Sequence, residues 1–321
     1  MYENETFFCV LCSKFLIKLL AISGGLMNQR ITRLLSFYML IFSSFSSYAV
    51  TLSTWNMEWL TLNPSEKFKP SERNEYDFQS LNNYFIKSNS QILAFQEVDS
   101  AEAIQKVVGN EYKIYLSDRS SNPKKQFNDI NQYTGFAVHN SISVTDPDDF
   151  SLLPNKKTSK LRYAAYIIAT VNEKPLHLLS VHLKSGCFGQ KKKNYACSTL
   201  EQQTEEVIDW INERNEKKQD YLILGDFNHT LAHPRSWVWK EIQKGTPQDP
   251  YLLTEDTKGS CTVKQWKRNW PKYTTFTRLI DHGISNLSLK QVEVEQLLYD
   301  QNDVKKFQLT DHCPIIFKIK D

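Results

Sequence analysis

The chain has 321 residues, with 39 Lys and Arg against 36 Asp and Glu, a formal net charge of +3 at pH 7. Its 40% hydrophobic and 23% charged residues are the balance of a globular protein with a sizeable core, which excludes the disordered, collagenous and fibrous classes. A charge so near zero does not advertise a polyanion partner, although a local Lys/Arg patch can still steer one.

The first 49 residues read as a targeting segment. From Met27, Arg30 and Arg33 form a positive region, residues 34–45 a short apolar run, and Ser47-Tyr48-Ala49 a small-x-small cleavage site. The apolar run is shorter than the roughly 18 residues that span a bilayer, so export with cleavage after Ala49 is expected rather than anchoring. Residues 1–26 precede an in-frame Met, which suggests a start at Met27. The mature chain, 50–321, then carries about +1 and is expected to be secreted or periplasmic.

No repeat, Pro/Gly linker or low-complexity tract follows Val50, so 50–321 reads as one domain. Residues 50–55 form a β-like run, 71–88 carry helical spacing, and 92–95 read as a buried strand. A short helix is expected over 99–108, and strands over 133–138, 163–171 and 176–182. The clearest helix covers 199–216, with Val207, Ile208, Trp210 and Ile211 on its inner side, followed by a strand at 221–224. A polar, tryptophan-rich middle carries no periodic signal. Strands close the chain near 279–284, 292–298 and 315–319. Strands and helices alternate early and strands dominate late, an α/β pattern.

Cysteine usage agrees with export. Cys187 and Cys197 bracket a lysine-rich stretch with the composition of a surface loop closed by a disulfide. The spacing is not that of a structural zinc site. Cys261 and Cys313 are compatible with either a bridge or free thiols.

Polar residues collect where apolar runs end. Asn56 and Glu58 follow the first strand, Glu97 the second, and His182 with Lys184 another; Asp226 and Asn228 close YLILGDFN, Asp281 closes RLID, and Asp311-His312 precede the last strand. Sheet ends are where α/β folds place ligands, so these groups are expected to converge. Carboxylates with amides are hard donors for Mg²⁺, Mn²⁺ or Ca²⁺, and histidines beside them can move protons at neutral pH. Singly, each motif is more often a turn, a cap or a packed residue.

In order along the mature chain, WNMEWL, FQEV, VHLKSG, GDFN, IDH and TDHCP resemble the endonuclease/exonuclease/phosphatase superfamily. The resemblance implies a deoxyribonuclease I-like four-layer α/β sandwich, two packed mixed β-sheets flanked by helices. It also implies a divalent-metal-dependent phosphoesterase. It puts a metal on Glu97 with Asn56 and Asp311, an activating role on Asp226, and a phosphate oxygen on Asn228. His312 would face the phosphate with Asp281 fixing its tautomer, and His182 would be a second acid or phosphate ligand. Deoxyribonuclease I pairs that histidine with a glutamate; the nearest position here is Asn131. Arg162 matches an arginine that contacts phosphate in several members, and Lys184 is a second phosphate-binding candidate.

Family resemblance does not choose the substrate. The lysine-rich 187–197 loop and VKQWKRNWPKY, where cations alternate with Trp266, Trp270 and Tyr273, favour nucleic acid. A phosphatase or sphingomyelinase-like lipid phosphodiesterase stays open; an inositol phosphatase is disfavoured because IDHGIS stands where those enzymes carry Trp-Cys-Asp-Arg. A non-catalytic anion-binding module is the remaining alternative. A monomer with no stable protein partner is expected.

Overall fold

Period-two alternation, read along four central strands, builds the protein. In the computed structural model, which describes residues 48–153, 163–267 and 270–320, strand β2 (Ile92–Val98) turns Ile92 and Ala94 to one core and Leu93 and Phe95 to another. Strand β8 (Asp220–Asp226) does the same with Leu222 and Leu224 against Tyr221 and Ile223. Such strands are apolar on both faces, so each sheet must be covered on both sides.

The cover produces four layers. One six-stranded sheet runs β13 (Val292–Gln296), β14 (Ile315–Lys320), β1 (Tyr48–Leu60), β2, β4 (Tyr133–His139), β3 (Tyr112–Leu116). The other runs β5 (Val144–Thr145), β6 (Ala165–Val171), β7 (Lys174–His182), β8, β12 (Asp281–Ser285), β9 (Tyr251–Leu252). Their inner faces share a core that includes Leu52, Ile92, Phe136, Ile167, Leu178, Leu222, Leu224 and Phe317. Burying each such side chain contributes about 1.5–3 kcal/mol. Helices α1 (Glu75–Ser88) and α2 (Ala101–Val108) cover the first sheet; α3 (Tyr195–Glu216) and α4 (Trp237–Gly245) cover the second. No helix among the described residues is long and apolar enough to cross a membrane.

Both sheets are mixed, and each has a parallel pair near its middle: β1 with β2, and β7 with β8. Four strands therefore end together. The neighbours β12 and β14 run antiparallel to β8 and β1, so their beginnings come to that same end.

Several boundaries differ from the sequence pattern for local reasons. Helix α1 starts at Glu75 rather than 71 because Asn74 and Asp77 form a capping box. Helix α3 starts at Tyr195, earlier than expected, under an Asn194 cap. The tryptophan-rich middle contains α4, which is capped by Ser236, buries Val238 and Ile242 and packs Trp237 and Trp239 partly against the same core. It also contains a separate two-stranded sheet, β10 (Cys261–Lys267) with β11 (Trp270–Phe276). A fifth helix, α5 (Gln301–Lys306), precedes the last strand. The leader and the start at Met27 lie outside the described residues, and the expected cut after Ala49 falls inside β1.

The expected Cys187–Cys197 disulfide is present, and Cys261 and Cys313, left open by the sequence, form a second one.

Candidate active site

Continuing the inward rows to the strand ends builds the site. On β1 the row is Leu52, Thr54, Asn56; on β7, Leu178, Ser180, His182; on β8, Leu222, Leu224, Asp226. Each row changes from apolar to polar as it leaves the core, and Asn56, His182 and Asp226 are all buried. Gln96, next in the β2 row, donates to Ser180 Oγ at 3.1 Å and seals the floor between the sheets.

Asp226 is the hub. Its Oδ2 accepts from Asn56 Nδ2 at 3.1 Å and from Asn228 Nδ2 at 3.2 Å. Two imidazoles face the same oxygen, His182 Nε2 at 3.5 Å and His312 Nε2 at 3.9 Å. Oδ1 accepts the Asn228 N–H at 2.7 Å. Gly225 makes this possible: a Cβ there would lie 2.0 Å from Val181 O, and its φ is +145°. Asn228 takes a left-handed turn, φ +51°, that asparagine tolerates well.

His312 is oriented from both sides. Its Nδ1 lies 2.7 Å from Asp281 Oδ2, and because a carboxylate only accepts, Nδ1 carries the hydrogen and Nε2 is turned to the site. The His312 carbonyl accepts from Trp55 Nε1 (3.1 Å) and Tyr299 Oη (2.6 Å), which pins the loop. Asp281 sits opposite Asp226 in the β8–β12 register, so one backbone pairing sets both carboxylates. Burial pushes the imidazole down, but Asp281, Asp311 and Asp226 outweigh it and hold His312 well above the usual histidine range. Burial pushes the Asp226 carboxyl up to about 7; Asp281 and Glu97 add to the shift while His312 and the Asn228 N–H oppose it.

Glu97 arrives by a different device. A bulge between Phe95 and Val98 and a left-handed φ of +58° turn its side chain out of the β2 alternation. Its Oε1 lies 3.3 Å from Asn56 Nδ2 and 3.5 Å from His182 Nε2. Asn56 accepts the Glu58 N–H through Oδ1 at 3.0 Å, so it presents its donor, not its oxygen, to the two carboxylates. Asp311 Oδ1 lies 3.7 Å from His312 Nε2.

A further carboxylate belongs to the cluster. Glu58 is buried, and burial together with the Asp311 charge raises its carboxyl well above the usual range, against Arg73. Arg73 Nη2 lies 3.9 Å from Glu58 Oε2 and donates to the carbonyls of Met57 (3.1 Å) and Leu309 (2.8 Å). Gln308 Nε2 donates to Glu58 Oε2 at 3.4 Å. The sequence names Glu58 as a strand-end residue without a role; its spacing of two from Asn56 is the available signal. Nothing in the sequence points to Arg73 or Gln308.

Lys184 follows His182 by two positions, and its ammonium donates to Ser185 O at 3.0 Å. Arg162 lies outside the described residues. Asn131 closes a local loop, accepting from Phe127 N at 2.9 Å and donating to Phe127 O at 3.1 Å, while His182 has Glu97 and Asp226 beside it.

The donor chemistry fits a divalent cation. The carboxylates of Glu58, Glu97 and Asp311 lie close enough for the Asp311 and Glu97 charges to raise Glu58, beside the donor atoms of Asp226, Asp281 and His312, which all lie within 4.8 Å of one another. Carboxyls raised by burial and by one another mark a site short of positive charge, and its donors are mostly hard oxygens.

A buried carboxylate hub and an aspartate-held imidazole at the end of a four-layer sandwich define a hydrolase acting on phosphoester bonds. The chain belongs to the Endonuclease/Exonuclease/phosphatase family, whose model matches residues 53–284. Solved structures of similar fold include TDP2 from Caenorhabditis elegans, at 17% identity and TM-score 0.58, covering 85% of this chain and 74% of that one. D. rerio TDP2 complexed with single strand DNA product matches at 14% identity and TM-score 0.56, covering 84% and 97%. The 3′ phosphatase NExo from Neisseria, bound to a product DNA hairpin, matches at 13% identity and TM-score 0.52, covering 84% and 99%. Identities this low carry the fold alone. No curated protein matches the chain.

Proposed function

We propose that the protein is an exported, divalent-cation-dependent phosphodiesterase that cleaves nucleic acid internally. The observation that carries this reading is the convergence of Asn56, Asn228, His182 and His312 on Asp226 Oδ2, with His312 held by Asp281. Asp226, raised to about 7, can take a proton from an attacking water near neutral pH. Asn56 and Asn228 fix that carboxylate. His312, raised and turned through Nε2 into the site, donates a charge-assisted hydrogen bond to a nonbridging oxygen. His182, between Glu97 and Asp226, is placed to add a second donor.

Glu97 and Asp311 would hold the cation, with Glu58 beside them and Asn56 joining after a half-turn of its amide. When bound, Mg²⁺, Mn²⁺ or Ca²⁺ supplies Lewis-acid neutralisation of charge on the phosphoryl oxygens.

Two disulfides support an oxidising compartment and hence the exported, secreted or periplasmic reading. Nucleic acid as substrate is supported by the interleaved cations and rings of residues 263–273 and by the DNA products held in two structures of this fold. The 3′ phosphatase activity of NExo makes a terminal monoester the second reading.

The test is purified mature chain with closed circular DNA, RNA, single-stranded oligonucleotide, bis-p-nitrophenyl phosphate, p-nitrophenyl phosphate and sphingomyelin, each with Mg²⁺, Mn²⁺, Ca²⁺ or chelator. Nicking of circular DNA or internal cleavage of RNA, abolished by chelator, is expected. Release of phosphate from monoesters alone would install the second reading, and no turnover with any cation would leave an anion-binding module.

A further inference from the structure

The β10–β11 hairpin belongs to neither main sheet. An isolated two-stranded ribbon is marginal in water, so its tethers matter. Its disulfide and two side-chain hydrogen bonds run to the segment carrying the catalytic loop: Cys261 is bridged to Cys313, next to His312; Lys264 Nζ donates to Phe307 O at 2.6 Å; and Trp266 Nε1 donates to Gln308 Oε1 at 2.9 Å. Gln308 in turn contacts Glu58. The ribbon is thus fastened along β10, from Cys261 at its base to Trp266 next to its tip, and lies beside the site with β11 as its exposed outer strand.

What the ribbon presents is unusual for a surface that faces only water. Trp270 is 78% exposed, Tyr273 44% and Phe276 41%. Its described residues carry Lys264, Lys267 and Lys272 and no acidic side chain. Lys267 pairs directly with Trp270, and Trp270 and Lys272 share a face about 7 Å apart. A ring can therefore take a base while an ammonium beside it takes the adjoining phosphate. Bases in a duplex are stacked on one another and show only their edges, so free ring faces suit unpaired bases.

We propose that this hairpin is a substrate-holding arm for a single-stranded polynucleotide, with Trp270 stacking a base and Lys267 and Lys272, on the same face, contacting phosphates. The proposal rests on the nuclease reading above and specifies the form of its substrate.

The experiment compares mature wild type with Trp270→Ala and with Lys267→Gln/Lys272→Gln, using a single-stranded oligonucleotide and bis-p-nitrophenyl phosphate. Trp270→Ala is expected to raise KM for the oligonucleotide by on the order of 10-fold, with kcat and turnover of the small diester within about two-fold of wild type. The lysine pair is expected to flatten the slope of log KM against log salt by about 1.4. Unchanged melting temperatures confirm folding, since the altered side chains are exposed. Wild-type KM in both variants, or equal losses on both substrates, overturns the arm while leaving the nuclease reading intact. Loss of binding to phosphatidylglycerol vesicles with oligonucleotide KM unchanged also overturns it, in favour of a lipid surface. Wild-type turnover of the small diester with no cleavage of any polynucleotide sinks the nuclease reading and the arm with it.

Discussion

Asn56 Nδ2 lies 3.1 Å from Asp226 Oδ2, one hydrogen bond that joins the ends of the two sheets across 170 positions of sequence. Because each residue closes the inward row of its own strand, sheet packing itself sets the distance, and no loop has to close to make it. The site is preorganised by the same contacts that build the core.

That rigidity makes the hub intolerant of truncation. Asp226→Ala and His312→Ala are each expected to lower kcat by on the order of 10² to 10⁴, the range for losing a general base or a preorganised donor. The melting temperature should fall little or rise for Asp226→Ala, which takes a carboxyl out of an acidic cluster, and should fall for His312→Ala, which leaves Asp281 buried without its partner. Wild-type turnover of nucleic acid by either variant would remove it from the mechanism.

Asp281 acts through His312, so its signature is a shifted pH profile. Burial lowers the imidazole and the Asp281 charge, with those of Asp311 and Asp226, raises it above the usual value. The donating form is protonated and is lost as pH rises through that raised pKa. Asp281→Asn removes one raising charge, so the alkaline limb of kcat against pH is expected to move to lower pH. A limb that stays in place would show that His312 does not set it.

The carboxylate cluster should make the cation-free protein less stable than its fold allows. With Asp226 raised to about 7, the folded state binds more protons than the unfolded chain between roughly pH 4 and 7, so this contribution declines as pH rises through that window. In chelator at pH 8, Asp226→Asn is expected to melt above wild type. Adding Mg²⁺ or Mn²⁺ should raise wild type, by about 2.7 kcal/mol at a free concentration about 100 times Kd. A wild-type melting temperature indifferent to every divalent cation would remove the metal from the reading.

How much of this arrangement is legible in the chain follows from how each residue reaches the site. Asn56, His182 and Asp226 are readable because they extend a period-two row by one step, and Asp281 and His312 because they flank apolar strands. Glu97 is visible as a strand-end carboxylate, but its direction depends on a bulge that no spacing reports. Arg73 and Gln308 come from loops and enter only through tertiary contacts. The hairpin hides because its exposed faces carry Lys, Thr and aromatic residues together, which blurs alternation. The partner of Cys261 is likewise set by the fold, 52 positions away.

A buried histidine outside the chemistry should dominate part of the acid limb of stability. His282 accepts the Leu231 N–H through Nε2 at 3.1 Å, so its Nδ1 carries the hydrogen toward Thr254 Oγ1 at 2.6 Å, and the ring is neutral. Burial pushes it down to about 4. The unfolded chain therefore binds the extra proton first, and the stabilisation, complete above about pH 6.5, is lost as pH falls through about 4. The expected loss is on the order of 3 kcal/mol. Urea unfolding at pH 7 and pH 4.5 should show a smaller pH effect in His282→Asn than in wild type, even though the variant is weaker at pH 7. Equal pH effects in both proteins would assign the acid sensitivity elsewhere, with His177, also lowered to about 4, the next candidate.

The two disulfides should differ in what they stabilise. Cys187–Cys197 closes a separation of 10 residues and Cys261–Cys313 one of 52. The chain-entropy relation assigns about 2.7 kcal/mol to the shorter and about 4 kcal/mol to the longer. Cys261→Ser/Cys313→Ser is thus expected to lower stability by roughly 1.5 kcal/mol more than Cys187→Ser/Cys197→Ser. It should also reduce turnover, because Cys313 adjoins His312 and the bridge holds the base of the hairpin against that loop. Urea unfolding of both pairs, read beside turnover of a small diester, separates these effects. Equal destabilisation with unchanged activity would show that the hydrogen bonds to the His312 carbonyl hold the loop without the bridge.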